Sequence, residues 1–114
     1  MPVSREIFGC KCGCGFNVIH DAVVGLVGSI QEVAPECHVT SGCRCEDHNK
    51  AEGGVSDSPH LKGTAADLYV PNSKLRYLVL RKLFAMGIKR IGIGKDFIHF
   101  DVDKEKTQWV VWEY

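Results

Sequence analysis

The chain has 114 residues, 45% hydrophobic and 25% charged, with 14 basic and 14 acidic side chains and a formal net charge of zero. That length suits one domain, residues 1–114, around a single core, and the lack of a basic excess argues against nucleic acid as a partner. The most apolar stretch, residues 18–34, is broken by His20, Asp21, Gln31 and Glu32 and is too short to insert into a bilayer.

The opening MPVSREIFGC has no apolar run of the kind an export signal needs, so the chain is expected to begin life in the cytoplasm. Residues 1–16 are rich in glycine and cysteine and read as an irregular segment. Asn17 is a fair N-cap for a helix whose apolar stripe is Ile19, Ala22, Val23, Leu26, Val27, Ile30 and Val33, and Pro35 ends it. CHVTSG reads as a short strand running into a turn. The following CRCEDHNKAEGGVSDSPHLKG is a long polar segment read as irregular, a kind of segment that is often functional.

AADLYV then reads as a strand. A second helix is capped by Asn72 or Ser73, carries Leu75, Leu78, Val79, Leu83 and Met86 on one stripe and closes at Gly87. IKRIGIG and DFIHFDVD form two strands joined by a tight turn near Gly94 and Lys95, and QWVVWEY is a terminal strand with aromatics at alternate positions. Two main helices and a small, mainly antiparallel sheet make an α+β domain.

Six cysteines fall in two clusters, Cys10, Cys12 and Cys14, then Cys37, Cys43 and Cys45. An even count allows three disulfides. Without an export signal, reduced thiols or a structural metal are equally open, and neither CxCxC nor CxC is the usual CxxC knuckle.

Three residues offer themselves as metal ligands: His60, Asp67 and His99. Alternation along FIHFDV puts Phe97, His99 and Asp101 on one strand face, and alternation along AADLYV puts Ala65, Asp67 and Tyr69 on one face. If these strands are neighbours, Asp67 and His99 converge and His60 arrives from the preceding loop. Two imidazoles and a carboxylate suit Zn²⁺, with a fourth position for the water it acidifies. A base must take the proton. Asp101 is one candidate, and Asp96 is another provided it sits in a turn or bulge where the strand begins.

TSGCRCEDHNKAEGGVSDSPHLKGTAADLYV resembles the pattern SGYRxxxHNxxxGGxxxSxHxxGxAxD of the zinc D-Ala-D-Ala carboxypeptidases, the M15 peptidases, and GIGKDFIHFDVD resembles that group's second motif. The resemblance spans roughly residues 40 to 112. It implies the small α+β fold shared with the hedgehog signalling domain and one catalytic Zn²⁺ held by His60, Asp67 and His99. It assigns Asp96 as the catalytic base and acid, and Arg44 as the holder of the scissile carbonyl or oxyanion. It makes Ser58 a group that supports a ligand or touches substrate, and Asp101 a group that orients a ligand. Cys43 stands where the family usually has tyrosine. Cys10, Cys12 and Cys14 are expected to pack against Cys43 and Cys45 as a structural cluster, bonded by disulfides or a second metal, and so to brace Arg44.

The implied activity is cleavage of a peptidoglycan stem peptide or its precursor, as a D-Ala-D-Ala carboxypeptidase or dipeptidase, or as the L-Ala-D-Glu endopeptidase of phage lysins. Such a chain is expected to be a monomer that reaches the wall after release. The alternatives are a non-catalytic zinc-binding module of the same fold and a structural zinc or redox protein centred on the cysteines.

Overall fold

A computed structural model describes residues 3–114. After a short 3₁₀ turn at Arg5–Phe8 come α1 (Asp21–Val33), β1 (Val39–Ser41), α2 (Glu46–Ala51), α3 (Pro59–Lys62), β2 (Ala65–Tyr69), α4 (Ser73–Ala85), β3 (Arg90–Ile93), β4 (Phe97–Asp101) and β5 (Val110–Glu113). The fold is α+β, as the alternation of patterns predicts. Among the described residues no helix is long and apolar enough to cross a membrane.

The strands form one sheet in the order β1-β2-β4-β3-β5. The β1–β2, β2–β4 and β3–β4 pairings are antiparallel and β3–β5 is parallel, so the sheet is mixed rather than purely antiparallel. The β3–β4 turn at residues 94–96 is closed by the Gly94 amide donating to the Phe97 carbonyl at 2.9 Å. The other edge of β4 is already taken by β2, so the returning chain crosses to the free edge of β3 and there runs parallel to it.

One face of the sheet is the core. Ala66 and Leu68 of β2, Ile98 and Phe100 of β4 and Ile91 of β3 pack with Val23, Val27 and Ile30 of α1 and Leu75, Val79 and Leu83 of α4. Because side chains alternate along a strand, the residues between these, Asp67 and His99 among them, are committed to the opposite face. The cap of α4 is as expected, with Asn72 Oδ1 accepting from the Leu75 amide at 3.0 Å.

Two expectations are corrected. Asn17 does not cap α1, which begins at Asp21 with His20 as an N-cap that makes no side-chain bond. Asn17 instead accepts from the Ile19 amide and donates to the Arg5 carbonyl, tying the N-terminal segment to the chain ahead of the helix. The polar segment before β2 is not irregular throughout. Cys45 caps α2 through its sulfur, and Ser58 caps α3, with Pro59 in the first turn.

Gly63 ends α3 in the left-handed region, with φ 72°. Its carbonyl accepts from the His20 amide at 2.9 Å, and a Cβ built on it would run into the Val18 carbonyl. Backbone therefore packs on backbone where α3 turns into β2. Gly63→Ala is expected to cost about 2–3 kcal/mol, from the strained φ together with the displaced segment of residues 17–20. Urea unfolding of the two proteins measures this, and equal stabilities would contradict the close approach.

Candidate metal centre

Asp67 and His99 are direct cross-strand partners in the β2–β4 register. Opposed side chains of an antiparallel pair share a face, and here His99 Nδ1 lies 2.8 Å from Asp67 Oδ1. His60 comes from α3. Its amide donates to Ser58 Oγ at 3.2 Å, its carbonyl accepts from the Arg44 amide at 3.0 Å, and its Nδ1 lies 2.6 Å from the Gly42 carbonyl. A carbonyl can only accept, so Nδ1 carries the hydrogen and Nε2 is the nitrogen turned to Asp67 Oδ1, at 3.3 Å. All three residues are buried.

The donor atoms of His60, Asp67 and His99 lie within 4.8 Å of one another. Bonds of about 2.0–2.1 Å in a tetrahedral zinc site place neighbouring donors about 3.3 Å apart, so this N, N, O set fits the ion. The sequence expectation that His60 would meet Asp67 and His99 is thus met in space.

His99 is held from behind. Its Nε2 lies 2.7 Å from Asp101 Oδ2, and Asp101 Oδ1 accepts from Arg90 Nε at 2.7 Å and from the Asp103 amide at 3.2 Å. Both nitrogens of His99 therefore face carboxylates in this arrangement, and both donate. Burial by itself would lower the His99 pKa, but the hydrogen bonds of Asp101 and Asp67 and their negative charge outweigh it and raise it. Burial likewise would raise the two carboxyls. The hydrogen bonds and charge of His60 and His99 hold Asp67 below the usual carboxylate range, and His99, with Arg90, does the same for Asp101.

The other predicted residues surround a cleft with two lobes that share Arg44, Glu52, Asp67 and Phe97. The inner lobe, of about 460 Å³, contains the two histidines and is walled by Trp112 and Tyr114. The outer lobe, of about 560 Å³, is lined by Lys11, Tyr69 and Asp96. Asp96 lies in the β3–β4 turn and is exposed, so the geometric condition on it as a base is satisfied, although it borders the outer lobe and not the one with the histidines. Arg44 donates to Ser41 Oγ at 3.1 Å, to Asn49 Oδ1 at 3.5 Å and to Asp67 Oδ2 at 3.4 Å. Ser58 is buried and occupied as the cap of α3 beneath His60.

All six cysteines are free thiols. Cys10, Cys12, Cys14 and Cys45 converge, but Cys43, expected among them, does not. Cys43 and Cys45 are two apart, yet Cys43 is buried beside Asn17 and the Val18 amide while Cys45 starts α2. Cys37 is in the core.

Three contributors were not singled out from the sequence. Arg90 pairs with Asp101 and lies over the Trp112 ring at 5.0 Å. Asn49 supports Arg44 while donating to the Val55 carbonyl at 2.8 Å. Trp112, opposite Gly92 in the β3–β5 register, has its ring centroid 5.6 Å from that of His99. Gly92 makes this possible, since a Cβ there would come within 2.7 Å of the Trp112 indole nitrogen. The signal for Arg90 was its two-residue spacing from Gly92, which puts it on the site's face.

A buried pair of histidines and a carboxylate lining a cleft, with an arginine beside them, is a donor set able to hold a metal ion. The peptidase M15 family model matches residues 16–101, and the chain belongs to that family. By that membership it is a metallopeptidase, of a family that depends on zinc. No curated protein matches the chain.

Two outcomes follow for metal binding. Zinc and a proton compete for His99 Nδ1, so zinc affinity should weaken about tenfold per pH unit below the raised His99 pKa and level off above it. Competition against a chromophoric chelator reads this, and an affinity that stays constant between about pH 5.5 and 7.5 would contradict it. Asp101→Asn removes the charge that orients His99 and should weaken zinc about 10–100-fold. Unchanged affinity would deny Asp101 that part.

Proposed function

We propose that this chain is a zinc peptidase that hydrolyses a bond in the stem peptide of bacterial peptidoglycan, as a D-Ala-D-Ala carboxypeptidase or a related endolysin-type endopeptidase. The observation that carries this reading is the convergence of His60 Nε2, Asp67 Oδ1 and His99 Nδ1 at the floor of a cleft in an M15 family member. When bound there, zinc supplies Lewis acidity toward a peptide carbonyl and acidifies a water molecule. His60, Asp67 and His99 are its ligands.

The other roles are divided by accessibility. Asp101 is fully buried and both its oxygens are engaged, so it orients His99 and has no free site for a proton from the cleft. Asp96 is exposed on the cleft edge and takes the proton of the attacking water, then returns it to the departing amine. Arg44, held by Ser41 and Asn49, directs its guanidinium at the junction of the two lobes. There it donates charge-assisted hydrogen bonds to the scissile carbonyl and to the oxyanion formed from it. Tyr114 is largely exposed at the rim of the inner lobe, where partial desolvation of its phenol and the charge of Asp67 push its pKa up and keep it a neutral donor. Arg44 and Lys11 on the outer lobe suit a peptide that carries free carboxylates, as stem peptides do.

Incubation with defined stem-peptide fragments, followed by mass spectrometry, is expected to give a single cleavage that a chelator abolishes and zinc restores. The products name the bond. Asp96→Asn should retain zinc while kcat falls about 10²–10⁴-fold. Full turnover in that variant would move the base elsewhere. Bound zinc with no cleavage of any stem peptide would leave the non-catalytic zinc-binding module as the reading.

A further inference from the structure

The cysteines outside the cleft form a second constellation. Cys10 Sγ lies 3.3 Å from Cys12 Sγ and 3.7 Å from Cys45 Sγ, and Cys12 Sγ lies 3.7 Å from Cys45 Sγ. With Cys14, all four sulfurs fall within 4.8 Å of one another. Four thiolates at about 2.3 Å around a tetrahedral zinc ion stand about 3.8 Å apart. Three sulfurs at nearly equal mutual distance do not resolve into a bonded pair and a bystander. They resolve into corners of one polyhedron.

The backbone is shaped to this end. Gly13 and Gly15 adopt φ 85° and 84°, conformations other residues rarely take, and let CKCGCG curl so that its three sulfurs turn inward. The curl is closed by the Cys10 amide donating to the Phe16 carbonyl at 2.8 Å. Amides are aimed at the sulfurs: Cys45 N–H at Cys10, His48 N–H at Cys45 and Phe16 N–H at Cys14, each at 3.4 Å. Hydrogen bonds of this kind offset the negative charge that thiolate ligands bring to an ion.

We propose that Cys10, Cys12, Cys14 and Cys45 bind one Zn²⁺ as a closed, structural site distinct from the catalytic centre. The four thiols lose their protons as the ion binds. Four protein ligands leave no open position, so this ion does no chemistry on a substrate. Its work is to clamp the N-terminal loop to the start of α2, across 35 positions of sequence. Lys11 lies between two of the ligands and Arg44 precedes a third, so the ion fixes two residues of the cleft wall at once.

The proposal is independent of peptidase activity, and the test reads metal directly. Protein purified under reducing conditions should carry two zinc ions per chain, one at each site. Reloaded with cobalt(II), the unaltered chain should show the intense near-ultraviolet thiolate-to-cobalt absorption, because only the cysteine site offers sulfur. His60→Ala should lose one ion and keep that absorption. The double variant Cys12→Ser, Cys14→Ser should lose one ion and the absorption with it. Should that double variant fail to fold, the cobalt spectrum of the unaltered chain still decides. Absence of the thiolate band in the cobalt-loaded chain would overturn the proposal. So would a single zinc per chain that disappears with His60→Ala, or an intact mass showing disulfides under the reducing conditions.

Discussion

The pairing of Asp67 with His99 across β2 and β4 is the constraint on which the site depends. The two are directly opposed in the register, and the row continues through Ser41 on one side and through Gly92 and Trp112 on the other. A slip of one residue would turn both toward α1 and α4 and bring Leu68 and Ile98 or their neighbours out to the cleft. The apolar residues that alternate with the ligands prevent it. Ala66, Leu68, Ile98 and Phe100 are fully buried against the helices, so the core holds the register and the register holds the donors. Burying a carboxylate and an imidazole this way is costly unless each is paired. Each of them is, through His60, Arg44, Asp101 and, behind Asp101, Arg90.

His60 reaches the pair by a different route. It rides on a single turn of helix whose start is capped by Ser58 and whose end is turned by Gly63, while its ring is set by the Gly42 carbonyl. Gly42 admits no side chain, because a Cβ would stand 2.5 Å from the Phe8 carbonyl. The N-terminal segment thus lies beneath the loop that aims one ligand, and its cysteines reach over to the loop that carries Arg44. Cleft wall and N-terminal loop form one piece of structure.

Much of this was legible in the sequence. Strict alternation in AADLYV and FIHFDV puts Asp67 on one strand face and His99 with Asp101 on another, and the condition that Asp96 sit in a turn is met because Gly94 begins one. What alternation cannot show is which strands pair. The parallel docking of β5 on β3, and with it the nearness of Trp112 to His99, comes from which sheet edge is free. Arg90 is hard to single out because IKRIGIG reads as an apolar strand, and its partner Asp101 is eleven residues away. Asn17 spends its capping oxygen on the Ile19 amide ahead of the helix, and its side-chain amide donates to the Arg5 carbonyl, a tertiary contact that no local pattern records. Cys43 and Cys45 look like one pair in sequence. The chain between them passes from a buried position just after β1 to the start of α2, and only Cys45 ends among the other thiols.

The central claim is that one ion is held by His60, Asp67 and His99 through named atoms. Crystals of the zinc-loaded protein, measured on both sides of the zinc absorption edge, test it most directly. The account predicts an anomalous peak bonded to His60 Nε2, an Asp67 carboxylate oxygen and His99 Nδ1, with His99 Nε2 still donating to Asp101. A peak on His99 Nε2, or no peak among these three residues, would contradict it.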